Sequence, residues 1–519
     1  MGGKGRKKVA QAFRPAGHAA LKRCATFGLM VSTCVLARAQ QNPNAAANFV
    51  SVNAPVVALT HARVIDGTGA AAREDQTIVI RDGTIVEVGD ASRVAAPAGA
   101  TVVDLTGKSV IPGLVMVHEH LYYPTGPGVY GQLGASFARL YLAGGVTTMR
   151  TGGNTNGIMD ITMTRRIAAG EMPGPDIDAT APYLNGPSTF LQMHAVTTAE
   201  EAKNHVAYWA GQGATSVKAY MQVSREALKA GIEEAHRRGM KVTGHLCSVT
   251  YGEAADLGID NLEHGFLAAT DFVADKQPDV CPGQARGQQA LASLDESGAP
   301  FVALVRKLVE KRVALTSTLT VFETFTPGRP MPPGLDVLTP QLQDNFRRAR
   351  ERVANNVESI YPKLFPKAMA LERAFAKAGG VLLAGTDPTG SGGVVPGYSN
   401  QRQLELLVEE GFTPVEAIAI GTRNGARFLG RDARIGTIVS GKQADCGCAS
   451  SRHRLQKRGW FRSRQTRGVS QRTSRLVVTN GARGFSRAIR RSLESSRSSV
   501  CCYCPAVEVF AADGLSVSF

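Results

Sequence analysis

"VIPGLVMVHEHLYYP", residues 110–124, is an apolar, strand-like run that closes on His-Glu-His. Proline and glycine at 112 and 113 punctuate the chain just before it. Strand side chains alternate, so His118 and His120 share one face and Glu119 takes the other. A three-residue pattern recurs by chance, so the pair has two readings: metal ligands, or polar residues at a strand end. The rest of the chain decides between them.

From Val110 onward, strand-like runs alternate with helical ones. The candidate strands after the first are "VTTMRT" (146–151), "DIDATAP" (176–182), "TSVKAY" (215–220), "KVTGH" (241–245), "IDNLEH" (259–264), "VALTSTLT" (313–320) and "VLLAGTD" (381–387). One intervening helix opens on the capping box Thr198-x-x-Glu201. Another runs from an N-cap at Ser224 to a C′ glycine at Gly239. Eight strands alternating with helices predict an α/β fold, a (β/α)₈ TIM barrel over 109–430. The connection before the last strand is long and carries "TPGRPMPPG" (326–334) and helical segments from Pro340 to Lys377, an excursion long enough to form a lid.

Ahead of the barrel, residues 55–108 read as short strands, with a hairpin in "TIVIRDGTIVEVG" around Asp82-Gly83. With residues 431–445 they predict a small composite β-sandwich, incomplete in its C-terminal strands. Residues 1–39 join a basic region to the uncharged stretch "CATFGLMVSTCVLA" and end in Ala37-Arg38-Ala39, the pattern of a signal peptide. The expectation is export, to a periplasm or beyond the cell, with no membrane attachment after the leader is removed.

The net charge of +16 hints at a polyanion partner, but its distribution argues otherwise. Residues 1–40 hold eight Lys/Arg and no acid, and residues 446–519 hold fourteen against three acids, so the body between is near neutral. Nucleic acid is not an expected partner of that body. Only Cys247 and Cys281 of the nine cysteines fall in the body, which is no disulfide framework, and Cys247 reads as a small apolar filler.

In such a barrel the reactive groups stand where strands end, at the C-terminal face. His118 and His120 end the first strand, Lys218 the fourth, His245 the fifth, His264 the sixth and Asp387 the eighth. Imidazole nitrogen and carboxylate oxygen are what zinc and similar divalent ions take.

These pieces together resemble the amidohydrolase superfamily, in its imidazolonepropionase-related and prolidase-like branch. The resemblance rests on "VIPGLVMVHEHL", "GVTTMR", "SVKAY", "VTGH", "IDNLEHG", "LLAGTD" and "VEEGFTPVEAIAIGTRNGARFLG", and covers residues 55–445. It implies two divalent metal ions, zinc by preference, with His118 and His120 on one, His245 and His264 on the other, and Lys218 bridging them as a carbamate. The other reading of Lys218 is a salt bridge at the barrel rim. The resemblance further implies a hydroxide bridging the ions as nucleophile, and Asp387 as ligand, base and then acid. The implied substrate is a small-molecule amide, a dipeptide or N-acyl amino acid.

Tyr220, Arg150 and His194 are candidate substrate contacts, Arg150 as a carboxylate clamp. The competing readings are a packed tyrosine, a structural ion pair and a surface histidine. His205 and His236 are expected to face solvent, and Glu119 to be structural.

After "RIGTIVSGKQAD" (434–445) the apolar alternation stops and Arg, Ser and Cys surge. The break has two readings, a natural basic tail that binds RNA, membrane or a metal, and a change of reading frame after Asp445, which the Cys-Gly-Cys codons favour because one base later they read as a valine- and alanine-rich triplet. On that second reading residues 446–519 are a basic tail with no evolved fold. Two other readings compete with the binuclear hydrolase. One is a mononuclear deaminase or cyclic-amide hydrolase on the same barrel; the other is a non-catalytic protein whose basic tail binds nucleic acid. A homo-oligomer is compatible with all three.

Overall fold

The computed structural model describes residues 45–126, 128–187 and 193–450, with the backbone of the strands Arg458–Phe461 and Ser474–Thr479. The expected leader, 1–39, lies outside the described residues, as does most of the segment after Asp445.

The chain forms a mixed α/β fold. Residues 50–112 build most of one branched nine-stranded sheet. Val56–Val64 lies at its branch point, pairing antiparallel with Arg73–Arg81 and parallel with both Thr101–Asp104 and Lys108–Pro112. The turn between Arg73–Arg81 and Thr84–Asp90 places Asp82 and Gly83 at φ 48° and 77°. Two successive positive φ angles are what a tight hairpin demands, and Asp-Gly tolerates them. Val57, Leu59, Val64, Ile78, Ile80 and Ile85 form the core of this sheet with Ile438. Cys446–Ser450, where no fold was expected, pairs antiparallel with Lys108–Pro112.

The second part holds eight parallel strands. Leu114–Glu119, Val146–Thr151 and Asp176–Asp178 make a three-stranded sheet. Ser216–Ala219, Lys241–Gly244, Asn261–Glu263, Ala314–Ser317 and Leu382–Ala384 make a five-stranded one. A parallel bridge joins Thr180 to Ser216. On the other side, the amides of Thr386 and Asp387 donate to the His118 carbonyl at 3.0 and 3.2 Å. Helices separate most of these strands. Ala199–Gln212 carries the Thr198–Glu201 capping box, and Arg225–Arg237 is capped by the Ser224 hydroxyl accepting from the Ala227 amide.

The excursion after the seventh parallel strand is pinned rather than free. Arg350 donates to the carbonyls of Thr324, Thr326 and Arg329 at 2.6–2.8 Å. Arg329 and Arg402 both pair with Glu323 and Glu409. A second departure concerns Cys247, which forms a disulfide with Cys281 instead of filling the core alone. Among the described residues, no helix is long and apolar enough to cross a membrane.

Candidate active site

Each strand delivers its functional side chain to the same end of the parallel sheets. A cavity of about 380 Å³ there is lined by His118, His120, Lys218, His245, His264 and Asp387, and by Tyr122, Tyr130, Tyr183 and Tyr220. The structure therefore brings together the six residues the sequence singled out at strand ends, and Tyr220 with them. His118 and His120 emerge from the first strand on one face, as alternation requires.

His264 and Asp387 sit at φ 68° and 53°, outside the extended region. Non-glycine residues hold this conformation at a cost and only where the surroundings enforce it, a pattern common at functional sites.

The donor atoms converge. Asp387 Oδ1 lies 3.2 Å from His120 Nε2 and 3.6 Å from His118 Nε2, and Oδ2 lies 3.8 Å from His264 Nδ1. His118, His120 and Asp387 each offer one atom within 4.8 Å of the others, and His118, Glu263 and His264 do the same. The rings of His245 and His264 are 4.5 Å apart between centroids.

This set fits a divalent cation. The Gly153 carbonyl lies 3.1 Å from His120 Nδ1 and can only accept, so neutral His120 carries its proton on Nδ1 and leaves Nε2 bare toward Asp387. His118 Nε2 is buried without a hydrogen bond among the described residues, with Asp387 Oδ1 at 3.6 Å. Buried polar atoms left this way await a partner.

Burial, reinforced by the nearby charge of Lys218, lowers His118 to about 4 and His245 to about 3. Burial also lowers His120 to about 4. All three are neutral at neutral pH, the form that binds metal. Burial opposes ionisation of Asp387, but its contacts with His118 and His120 and the influence of His264 hold its carboxyl well below the usual range.

Glu263 is the site residue that sequence reasoning missed. Its Oε1 accepts from Arg150 Nη1 at 3.1 Å and from Thr243 Oγ1 at 2.5 Å. Its Oε2 lies 2.9 Å from His118 Nδ1 and against Lys218 Nζ. Lys218 thus meets both the cavity and this carboxylate.

Arg150 does not reach the cavity. It is buried at 1% exposure, and its other donors go to Ser216 Oγ, Thr243 Oγ1 and the Val117 carbonyl. A guanidinium so fully engaged has no donor left to clamp a substrate carboxylate, so that expectation is corrected. His194 is exposed and stacks on His205, while its neighbour Met193 lines the cavity. His205, expected in solvent, is half-buried with Nε2 against the Pro182 carbonyl at 2.9 Å. His236 is exposed and pairs with Asp260.

Glu119 faces away from the cavity. Its Oε1 accepts from Asn400 Nδ2 at 2.8 Å and its Oε2 contacts the Thr386 hydroxyl, tying the first strand to the loop that bears Asp387.

Comparison with known proteins adds to this geometry. A model described as the amidohydrolase family matches residues 336–447. The chain is 40% identical over 81 residues to imidazolonepropionase of Nocardia farcinica, covering 15% of this chain and 19% of that protein. It is 37% identical over 100 residues to dihydroorotase of Citrifermentans bemidjiense, covering 19% and 22%. The chain thus matches about a fifth of the length of each of these curated relatives.

Among solved structures, a Bifidobacterium longum protein assigned as a prolidase superposes with a TM-score of 0.56 at 27% identity, over 76% of this chain and 89% of that one. A Xaa-Pro dipeptidase with methionine bound in its active site superposes with a TM-score of 0.57 at 19% identity, over 76% and 94%, a likeness of fold.

Proposed function

We propose that the chain belongs to the amidohydrolase superfamily and is a metal-dependent hydrolase of a carbon–nitrogen bond. The substrate in this reading is a small-molecule amide of the dipeptide or N-acyl amino acid class. The observation that carries it is the convergence of His118, His120, Lys218, His245, His264 and Asp387 on one cavity. The likeness to a protein assigned as a prolidase supports the peptide-like substrate.

In the same reading, the three- and five-stranded sheets are halves of one closed (β/α)₈ barrel. The Thr180–Ser216 bridge and the Thr386 to His118 hydrogen bond support closure at the two seams. His118, His120, His245, His264, Asp387 and Lys218, the last as a carbamate, would hold two divalent ions, zinc by preference. Such ions supply Lewis acidity, polarising a carbonyl oxygen and acidifying water.

The chain's own residues do the rest. Neutral His118, His120, His245 and His264 present nitrogen lone pairs. Asp387, ionised, takes one proton from the attacking water and passes it to the departing amine nitrogen. A C–O bond forms as the C–N bond breaks, leaving a carboxylic acid and an amine. Glu263 holds the floor of the cavity, and Glu119 fixes the loop that aims Asp387.

Export is part of the same proposal, and the Cys247–Cys281 disulfide supports an oxidising compartment. One observation favours a second reading, a mononuclear hydrolase or deaminase: Lys218 pairs with Glu263 instead of standing free to bridge ions.

The test is the metal content per chain of protein purified without residues 1–39, followed by a dipeptide and N-acyl amino acid screen. A value near two with turnover is expected. A value near one moves the assignment to the mononuclear reading, and no metal after refolding with zinc overturns both.

A further inference from the structure

The cavity wall away from the metal ligands is made of tyrosine. Tyr122 and Tyr130 come from a hairpin that follows the first parallel strand, Tyr122–Gly126 paired with Val129–Gln132. Tyr183 follows the third parallel strand and Tyr220 the fourth. The rings of Tyr122 and Tyr130 meet edge to face at 5.2 Å, and those of Tyr183 and Tyr220 tilt together at 4.8 Å. The Tyr122 and Tyr183 hydroxyls join the two pairs at 2.5 Å. Tyr122 also stacks on His120 at 4.4 Å, and Tyr220 packs against His245 at 4.9 Å, so the wall adjoins the reacting centre on two sides.

We propose that this tyrosine wall is an aromatic subsite, and that the substrate is an uncharged amide bearing a flat aromatic ring next to the scissile bond. The inference rests on the hydrolase reading above but departs from the dipeptide and N-acyl amino acid class, whose members carry a free carboxylate. Three features carry it.

The phenols are neutral at neutral pH, as tyrosine ordinarily is. The wall therefore offers ring faces, ring edges and O–H dipoles, with no charge. Aromatic rings meet such surfaces in offset or edge-to-face geometry, with an attraction beyond simple area burial.

Cationic groups also favour tyrosine faces. Here, however, the wall directly borders a ligand set built for divalent cations, and Asp387 is the one acid among the described lining residues. A cationic substrate is repelled at the point where it must bind.

Arg150, the side chain best suited by type to hold a substrate carboxylate, is consumed by Glu263, Ser216 and Thr243. The remaining described lining residues are Gly128, Thr155, Met193 and Thr389, which are uncharged. Met193 adds a thioether, a group that packs well against ring edges.

The experiment compares two non-hydrolysable ketone isosteres of one amide, a phenyl ketone and its cyclohexyl counterpart. Their affinities for the metal-loaded full chain are measured by calorimetry. The pair matches in apolar character and charge and differs in ring flatness and π-character. The phenyl compound is expected to bind at least tenfold tighter. Tyr130→Leu is expected to reduce that preference to less than threefold, while Tyr130→Phe, which keeps the ring, preserves it. Equal binding of the two ketones by the parent chain overturns the aromatic subsite, as does an undiminished preference in Tyr130→Leu.

Turnover of the parent amides is scored separately. Selective phenyl binding with no amide hydrolysed, on a metal-loaded chain, keeps the subsite and removes the hydrolase reading. Hydrolysis without ring preference does the reverse.

Discussion

Glu263 Oε2 lies 2.9 Å from His118 Nδ1, so the carboxylate ending the sixth parallel strand faces the histidine ending the first. The same oxygen contacts Lys218 on the fourth strand, and its partner Oε1 is held by Arg150 from the second and Thr243 from the fifth. Five of the eight parallel strands therefore meet at one fully buried carboxylate. In the metal-free chain Arg150 and the amine of Lys218 are buried beside it. Such a node sets the relative height of the strands under the cavity, and hence the spacing of the ligands above it.

The node makes Glu263 the costliest of these side chains to neutralise. Glu263→Gln keeps the shape but leaves Arg150 and Lys218 buried with their main counter-charge gone. Removing one member of a buried charge cluster destabilises by about 3–5 kcal/mol. Urea unfolding of the metal-free variant and parent at neutral pH measures this. A variant as stable as the parent would mean that Arg150 and Lys218 are compensated elsewhere.

Asp387 is placed to move a proton as well as to touch a metal, and the two roles separate in a variant. Asp387→Asn retains an oxygen toward His120 but cannot accept the proton. Loss of a general acid–base group lowers kcat by roughly 10²–10⁴-fold. The expected result is that loss with most of the metal retained, read from kinetics and elemental analysis on the same preparation. A proportional fall of metal and activity would assign Asp387 as a ligand alone.

The strand ends were legible in the sequence because alternation and barrel geometry both act locally. His118, His120, Lys218, His245 and Asp387 each close a short apolar run, and the cavity gathers all five with His264. Glu263 was not legible by the same rule. Alternation assigns residues 263 and 264 to opposite faces, yet both point inward because His264 adopts φ 68° and turns the chain. A glycine directly after an acid–histidine pair was the available signal of a bend there.

Arg150 was misjudged for a related reason. Its strand position gives the inward direction but not the depth, and depth decides between the cavity and the layer beneath it. The Cys247–Cys281 bond depends on the path of a 34-residue segment, which no local pattern encodes. The tyrosine wall was half visible, since Tyr220 follows Lys218 by two residues. Tyr122, Tyr130 and Tyr183 reach the cavity only through the hairpin and the loop that carry them.

Stability should depend on pH through Asp160, which lies away from the cavity in the helix Ile158–Ala168. Burial, only partly offset by hydrogen bonds from Asn154 and Thr151, raises it from 3.8 to about 7. Between those values the folded chain keeps a proton that the unfolded chain releases. Its contribution is therefore fully present below about pH 4 and is lost as pH rises toward 7. Asp160→Asn, which cannot ionise, should gain stability relative to the parent over that interval, by an amount on the order of a few kcal/mol. Urea midpoints of both chains at pH 4.5 and pH 8 test the sign. A difference between variant and parent that does not change with pH would show Asp160 to be ordinary in its titration.

The position of His118 depends on two glycines that flank it. A Cβ at Gly152 would stand 2.6 Å from His118 Nε2, and one at Gly385 would stand 2.9 Å from the His118 backbone nitrogen. Neither distance is one that real carbon atoms accept, and both neighbours are packed. Gly152→Ala can be relieved by turning the imidazole, which moves Nε2 away from Asp387. Gly385→Ala meets main chain and has no such escape. The first substitution should therefore lower metal content while leaving the unfolding midpoint nearly unchanged. The second should lower both, with a stability loss of about 1–3 kcal/mol from overpacking. Elemental analysis and thermal unfolding of the two variants together decide the matter. Equal metal content in Gly152→Ala and the parent would mean that His118 is not a ligand, because its ring cannot keep its place beside an added methyl group.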